Sequence, residues 1–214
     1  MLSDYAAIKN GSYGKLMKAY YAKQDAEKLL GKGDTSQKLT LMKTSADSLK
    51  KSADALNDSS LWEKKKIKKK DEKTGEEIAV EDYDWDKITK AVKSFVEDYN
   101  DVVKEAGESN TKDVLRNASW MTGMTDKNSN MLAKIGITIG KGNKLELDED
   151  ALKQADISSL KTVFTGYNSF VSKISQKATC ISNAANRASA TYTNNGTYSK
   201  TDSSLTSSKI DKEV

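Results

Sequence analysis

Asp148, Glu149 and Asp150 are three adjacent carboxylates, a set that can hold a hard cation or divide acid and base work. Calcium would need a twelve-residue loop closed by a glutamate, and that pattern is absent. Acid–base work would need a cleft that drives two pKa values apart. These acids stand where a helix start favours negative charge in any case. The run Gly136-Ile137-Thr138-Ile139-Gly140-Lys141-Gly142 has the glycines of a phosphate cradle. It lacks a Lys-Ser/Thr pair at the required spacing, and its flanks read as a hairpin. Cys180 is the single cysteine, and the chain has no histidine to activate it. It reads as a small packed residue beside a helix seam. Without histidine the commonest general base and metal ligand is missing. The expectation is a protein that is not an enzyme, with no cofactor, no metal and no small-molecule substrate.

Two further groups could bind rather than react. Lys64 to Lys70 is lysine throughout except for Ile67. Such a run can grip phosphates, or guard an edge strand against pairing with other chains. The guard reading is preferred, because Glu76, Glu77, Glu81 and Asp82 follow on the facing strand as cross-strand partners. The net charge of +4 likewise gives little ground for a nucleic-acid partner. Trp62, Trp85 and Trp120 could stack on a base or a sugar, or anchor a core or a subunit contact. Packing is the preferred reading, above all for Trp120 beside Met121 and Met124. Trp62, Lys64, Lys66, Lys68 and Trp85 remain the candidate interaction residues.

The elements that must position these groups are mostly helices. Hydrophobic residues make up 36%, charged residues 31%, and proline is absent, a balance suited to long half-exposed helices. A first helix is predicted from Ser12 to Leu30, stopped by Gly31 and Gly33. Asp34 or Thr35 caps the next, in which Leu39, Met42, Ala46, Leu49, Ala53 and Leu56 keep a heptad seam. The two alanines admit a close partner helix. Residues 61–84 read as a hairpin turning at Thr74-Gly75. Asp86 to Ala106 carries a second seam of Ile88, Val92, Phe95, Tyr99, Val102 and Ala106, closed by Gly107. Asn110 or Thr111 caps a shorter helix ending near Gly123, and one or two turns follow before Lys134. Ile135, Ile137 and Ile139 alternate, as do Leu145 and Leu147, with Lys141-Gly142-Asn143 turning between them: a second hairpin at 135–147. Asp148 caps a short helix to Ala155, and another runs from Ser158 to Phe164. A third seam spans 168–190 through Phe170 or Val171, Ile174, Ala178, Ile181, Ala185 and Ala188.

Isolated helices are marginal in water, so these apolar stripes must bury against one another. The fold expected is mainly α: an elongated antiparallel bundle with coiled-coil-like packing and two short β-hairpins. Residues 1–190 would form one domain and 191–214 a flexible polar tail. No 18-residue apolar run is present, so no membrane span is predicted. No cleaved secretory signal is read at the start, and Met1 leaves open whether residues precede it.

The stretch Phe95-Val-Glu-Asp-Tyr99-Asn100-Asp-Val resembles the FVxxYNxL helix of the flagellar filament cap family, also called hook-associated protein 2. The likeness continues through Leu115, Leu132, Ile135-Gly136-Ile137, Gly142, Leu145-Glu-Leu147-Asp148-Glu149, Leu152 and Val163-Phe164-Thr-Gly166. Order and spacing agree from Phe95 to Gly166, and the seam helix at 168–190 is similar to the family's C-terminal helix. The family's β-rich plate domains have no counterpart, since only the lysine-rich hairpin lies between the helical halves. The resemblance implies a structural or assembly protein acting through helix–helix contacts with flagellar axial subunits or with copies of itself. It implies an extracellular, flagellum-associated place reached without a cleaved signal; a cytoplasmic place is the alternative. The other functional reading is a surface or secreted module that binds a glycan or protein through its tryptophans and lysine-rich hairpin.

Overall fold

The computed structural model describes residues 21–22, 33–70 and 77–191. Apart from residues 21–22, the predicted helix 12–30 lies outside them. So does the predicted tail, apart from residue 191, and so does Glu76.

The described chain runs as follows. Helix α1 (Ser36–Asn57) leads through a 3-10 turn (Ser59–Trp62) into strands β1 (Lys65–Lys70) and β2 (Glu77–Asp82). Helices α2 (Trp85–Glu108), α3 (Lys112–Lys127) and α4 (Ser129–Ala133) come next. Strands β3 (Ile137–Ile139) and β4 (Leu145–Leu147) follow, then α5 (Glu149–Gln154), α6 (Ile157–Phe164) and α7 (Phe170–Thr191). The fold is mainly α with two short antiparallel hairpins, as the periodicities require.

Four long helices form the bundle. α1 packs against both α2 and α7, and α3 packs against both α7 and α2. Their directions follow from the rungs between them. Ser175 Oγ donates to Asp54 and Ser182 Oγ to Asp47, each at 2.6 Å, so α1 and α7 run antiparallel. Lys177 lies over Trp120 while Arg187 reaches Asp113, so α3 and α7 are antiparallel too. All six residues of the α1 seam and all six of the α2 seam are buried. On α7, Phe170 and Val171 both point inward, which resolves that alternative in favour of both. Phe95 is the hub of the aromatic core, with Tyr99, Phe164 and Phe170 rings 6.3–6.5 Å away.

Several local expectations need correction. Thr35, not Asp34, caps α1, accepting from the Lys38 N–H. α2 passes through Gly107 and ends at Glu108. α3 does not end near Gly123 but continues to Lys127. Glycine costs a helix interior about 1 kcal/mol, and burial of Met121, Thr122 and Thr125 around it offsets that cost. Cys180 is exposed rather than packed. It is two residues past Ala178 and one before Ile181, so it turns away from their buried face.

Candidate assembly surface

The acids at the start of α5 are a cap. Asp148 Oδ1 accepts from the N–H groups of Asp150 and Ala151 at 3.0 and 2.9 Å. Glu149 is engaged by Lys93 of α2 at 3.2 Å. Among the described residues no group of histidine, cysteine, aspartate or glutamate is arranged to hold a metal. The Asp98 carboxyl is raised above its ordinary range: burial raises it first, a bond with Ser52 opposes this, and the charges of Asp101 and Glu97 add to it. These three acids lie along one helix surface rather than converging in a cleft.

The residues that carry the resemblance build a clip. Asn100 projects from α2 and pairs with the backbone of Leu145 in both senses. Its Nδ2 donates to the Leu145 carbonyl at 2.9 Å, and its Oδ1 accepts from the Leu145 N–H at 2.7 Å. The side-chain amide thus occupies the place of a further strand beside β4. One residue earlier, Tyr99 is fully buried and donates to Thr125 Oγ1 of α3 at 2.9 Å. Burial pushes its phenol pKa upward, so it stays a neutral donor. Ile135, Ile137, Leu145 and Leu152 bury against the same core, with Leu147 packed partly against it. Gly136 has φ +78°, and a Cβ there would lie 2.6 Å from the Asp148 carbonyl. Its own carbonyl accepts from the Asp148 N–H at 2.8 Å, which closes the hairpin onto α5. Gly142 (φ +71°) and Asn143 (φ +64°) make the tip. Phe164 is buried, stacked on Trp62 at 5.6 Å.

The candidate interaction residues divide. Trp62 is 1% exposed, and its indole N–H donates to the Leu56 carbonyl at 2.8 Å. It is a core anchor and is not available to a partner. Trp85 is half-buried at the edge of Tyr83. Lys64, Lys66 and Lys68 are exposed on or beside β1. The register sets Lys65 against Asp82, Lys66 against Glu81 and Lys70 against Glu77, whereas Lys68 and Lys69 stand opposite Ala79 and Ile78. Lys64 and Lys161 each approach the Tyr83 ring to 5.7 Å.

Three features were only partly legible in the sequence. The first is Trp120, read as packing in a core or a subunit contact, which is 59% exposed, with the Lys177 ammonium 5.5 Å from its ring. The second is Leu41 on α1, 50% exposed. The third is Asp34, whose side chain is 1% exposed. Its carboxylate accepts from Ser109 Oγ (2.6 Å), Asn110 N (2.9 Å), Thr111 N (2.9 Å) and Thr111 Oγ1 (2.7 Å). Burial alone would raise its pKa; the bonds from Ser109, Thr111 and Asn110 and the Lys38 charge outweigh that and hold it low. Asp34 thus ties the start of α1 to the α2–α3 turn, just ahead of α3, whose N-cap Thr111 makes no side-chain cap bond.

Among the described residues, the pair α1–α2 and the pair α3–α7 form opposite sides of the bundle. Between α1 and α2 is a surface cavity of about 280 Å³ lined by Ser52, Ala55, Lys87, Lys90, Ala91 and Ser94. Across the bundle, α3 and α7 present Trp120 and Lys177. Among the described residues no helix is long and apolar enough to cross a membrane.

Residues 109–213 match the family model described as flagellar hook-associated protein 2 C-terminus. The match covers α3 through α7 and therefore the hairpin clip, while α1, β1, β2 and α2 precede it. No curated protein and no solved structure matches the chain.

Proposed function

We propose, from the premise that residues 109–213 form a hook-associated-protein-2-type C-terminal region, that this protein is a flagellar cap-type structural component. It acts by protein–protein contact through the outer faces of its bundle and performs no catalysis. The Asn100 clip carries the reading furthest. It ties α2, upstream of the matched region, to β4 inside it, while the Ser175–Asp54 and Ser182–Asp47 bonds tie α1, before the lysine-rich hairpin, to α7. Rigid helices with polar and small outer residues suit the docking of rods on rods. The expected place is the outside of the cell, on the flagellar axis.

The test is biochemical. Flagella sheared from cells of the source strain are sedimented and probed with an antibody to this chain. The protein is expected in the filament or hook fraction. A signal confined to the cell lysate contradicts the proposal.

A further inference from the structure

The lysine-rich hairpin is a ribbon of two strands with its charges sorted between them. β1 reads KKIKKK and β2 reads EIAVED, so one strand carries five cations and the other three anions. Among the described residues no third strand pairs with either, and each keeps an outer edge. The strands pack chiefly on each other rather than on a helix. In an antiparallel pair every second residue turns its N–H and C=O away from the neighbouring strand. A two-stranded ribbon is marginal in water, and further strands steady it.

We propose that ribbons of successive copies add edge to edge, the outer edge of β2 in one copy pairing antiparallel with the outer edge of β1 in the next. This goes beyond the flagellar reading and stands on the hairpin alone. Charge selects the occupant. β1 against β1 would set lysine beside lysine, and β2 against β2 would set acid beside acid, so both like pairings are disfavoured. The opposite strand of a second copy carries the complement. The chain already makes this match within itself: Lys66 stands opposite Glu81, Ile67 opposite Val80 and Lys70 opposite Glu77. The same register between copies repeats all three pairs. It also sets the outward N–H and C=O groups of the two strands face to face, because they alternate with those spent inside the ribbon. The lysines of β1 thus guard the ribbon against its like and admit its complement.

The widths of ribbon and bundle set the shape of the assembly. Two strands add about 10 Å per copy, whereas two helices side by side are about 20 Å wide. Copies joined at their ribbons therefore cannot stack in a straight row. Their bundles fan outward, to about twice the distance of the strands from a common axis. Pairing through unlike edges is a heterologous contact, which repeats from copy to copy instead of stopping at a dimer.

The test uses the full chain, a double variant Glu77→Lys/Glu81→Lys, and a chain that adds Lys66→Glu and Lys70→Glu to it. Sedimentation velocity is run over a concentration series. The wild-type chain is expected to shift to larger species as concentration rises. The double variant sets lysine against lysine, and its association is expected to weaken at least about tenfold. The four-change chain restores opposite charges inside the ribbon and between its own copies, so it is expected to associate with itself as wild type does. Against wild type, however, every contact becomes like on like. Fluorescently labelled wild-type chain is therefore expected to stay out of the four-change species. Amide exchange in β1 and β2 of the wild type is expected to slow on association. A wild-type chain monomeric throughout overturns the contact, as does a double variant that associates unchanged. A four-change chain that stays monomeric, or that takes up wild type as readily as its own kind, overturns it too. Each of these results leaves the flagellar reading to the sheared-filament test, which decides it separately.

Discussion

At the scale of the residue, two side chains join parts of the chain that are remote in sequence. Replacing Asn100 by Ala strips both partners from Leu145, and a buried hydrogen-bonding group left unmet costs about 1–3 kcal/mol. Urea unfolding is expected to show that loss, and amide exchange is expected to rise at β4 before it rises in α2. Asp34 gives a pH signature. Its folded pKa is depressed, so its stabilisation is complete above the unfolded value near ~4 and fades as pH falls through the lower folded value. Asp34→Asn is therefore expected to be less stable than wild type at pH 7, by about 2 kcal/mol for lost charge-assisted bonds. The gap should close in strong acid. A gap constant from pH 7 to pH 2 would contradict the assignment. At Gly136 the φ of +78° and the nearby Asp148 carbonyl predict that Gly136→Ala costs at least about 1–2 kcal/mol, read as a lowered Tm.

At the scale of the element, the seams were legible because the period of a helix core is a local property. Ile88 through Ala106 needed only its own spacing to place six buried residues, while Val96 and Val103 are buried beside that seam. The same rule sets Trp120 off the buried face, against the packing role its size suggested. Val114, Ala118, Met121 and Thr125 mark the buried stripe, and Trp120 lies about 100° off it. Asp34 was beyond reach, because its partners at Ser109 to Thr111 are 75–77 positions away and no pattern in either segment names the other. The pairing of α1 with α7 was half legible. Ala46 and Ala53 announced a close neighbour without saying which. The lysine–aspartate repeats, Lys43 with Asp47 and Lys50 with Asp54, looked like ordinary surface pairs. Each aspartate also accepts from a serine of α7. Ala53→Leu is expected to overpack this helix pair and to lower stability by about 1–3 kcal/mol in denaturant unfolding.

At the scale of the whole molecule, several groups that stood out in the sequence are engaged within the fold. Trp62, one of two tryptophans named as interaction candidates, is spent on the core, and Asp148 at the start of α5 is spent on a cap. What the bundle offers a partner is surface: a guarded lysine hairpin, a small-walled cavity and one exposed indole. The central claim is that this surface serves flagellar assembly. Immunogold electron microscopy of intact cells, with antibody to this chain, tests it most directly. The account predicts gold concentrated on the flagellar axis, at its tip or at its junctions. Flagella free of label, with gold scattered over the cell body or within the cytoplasm, would contradict it.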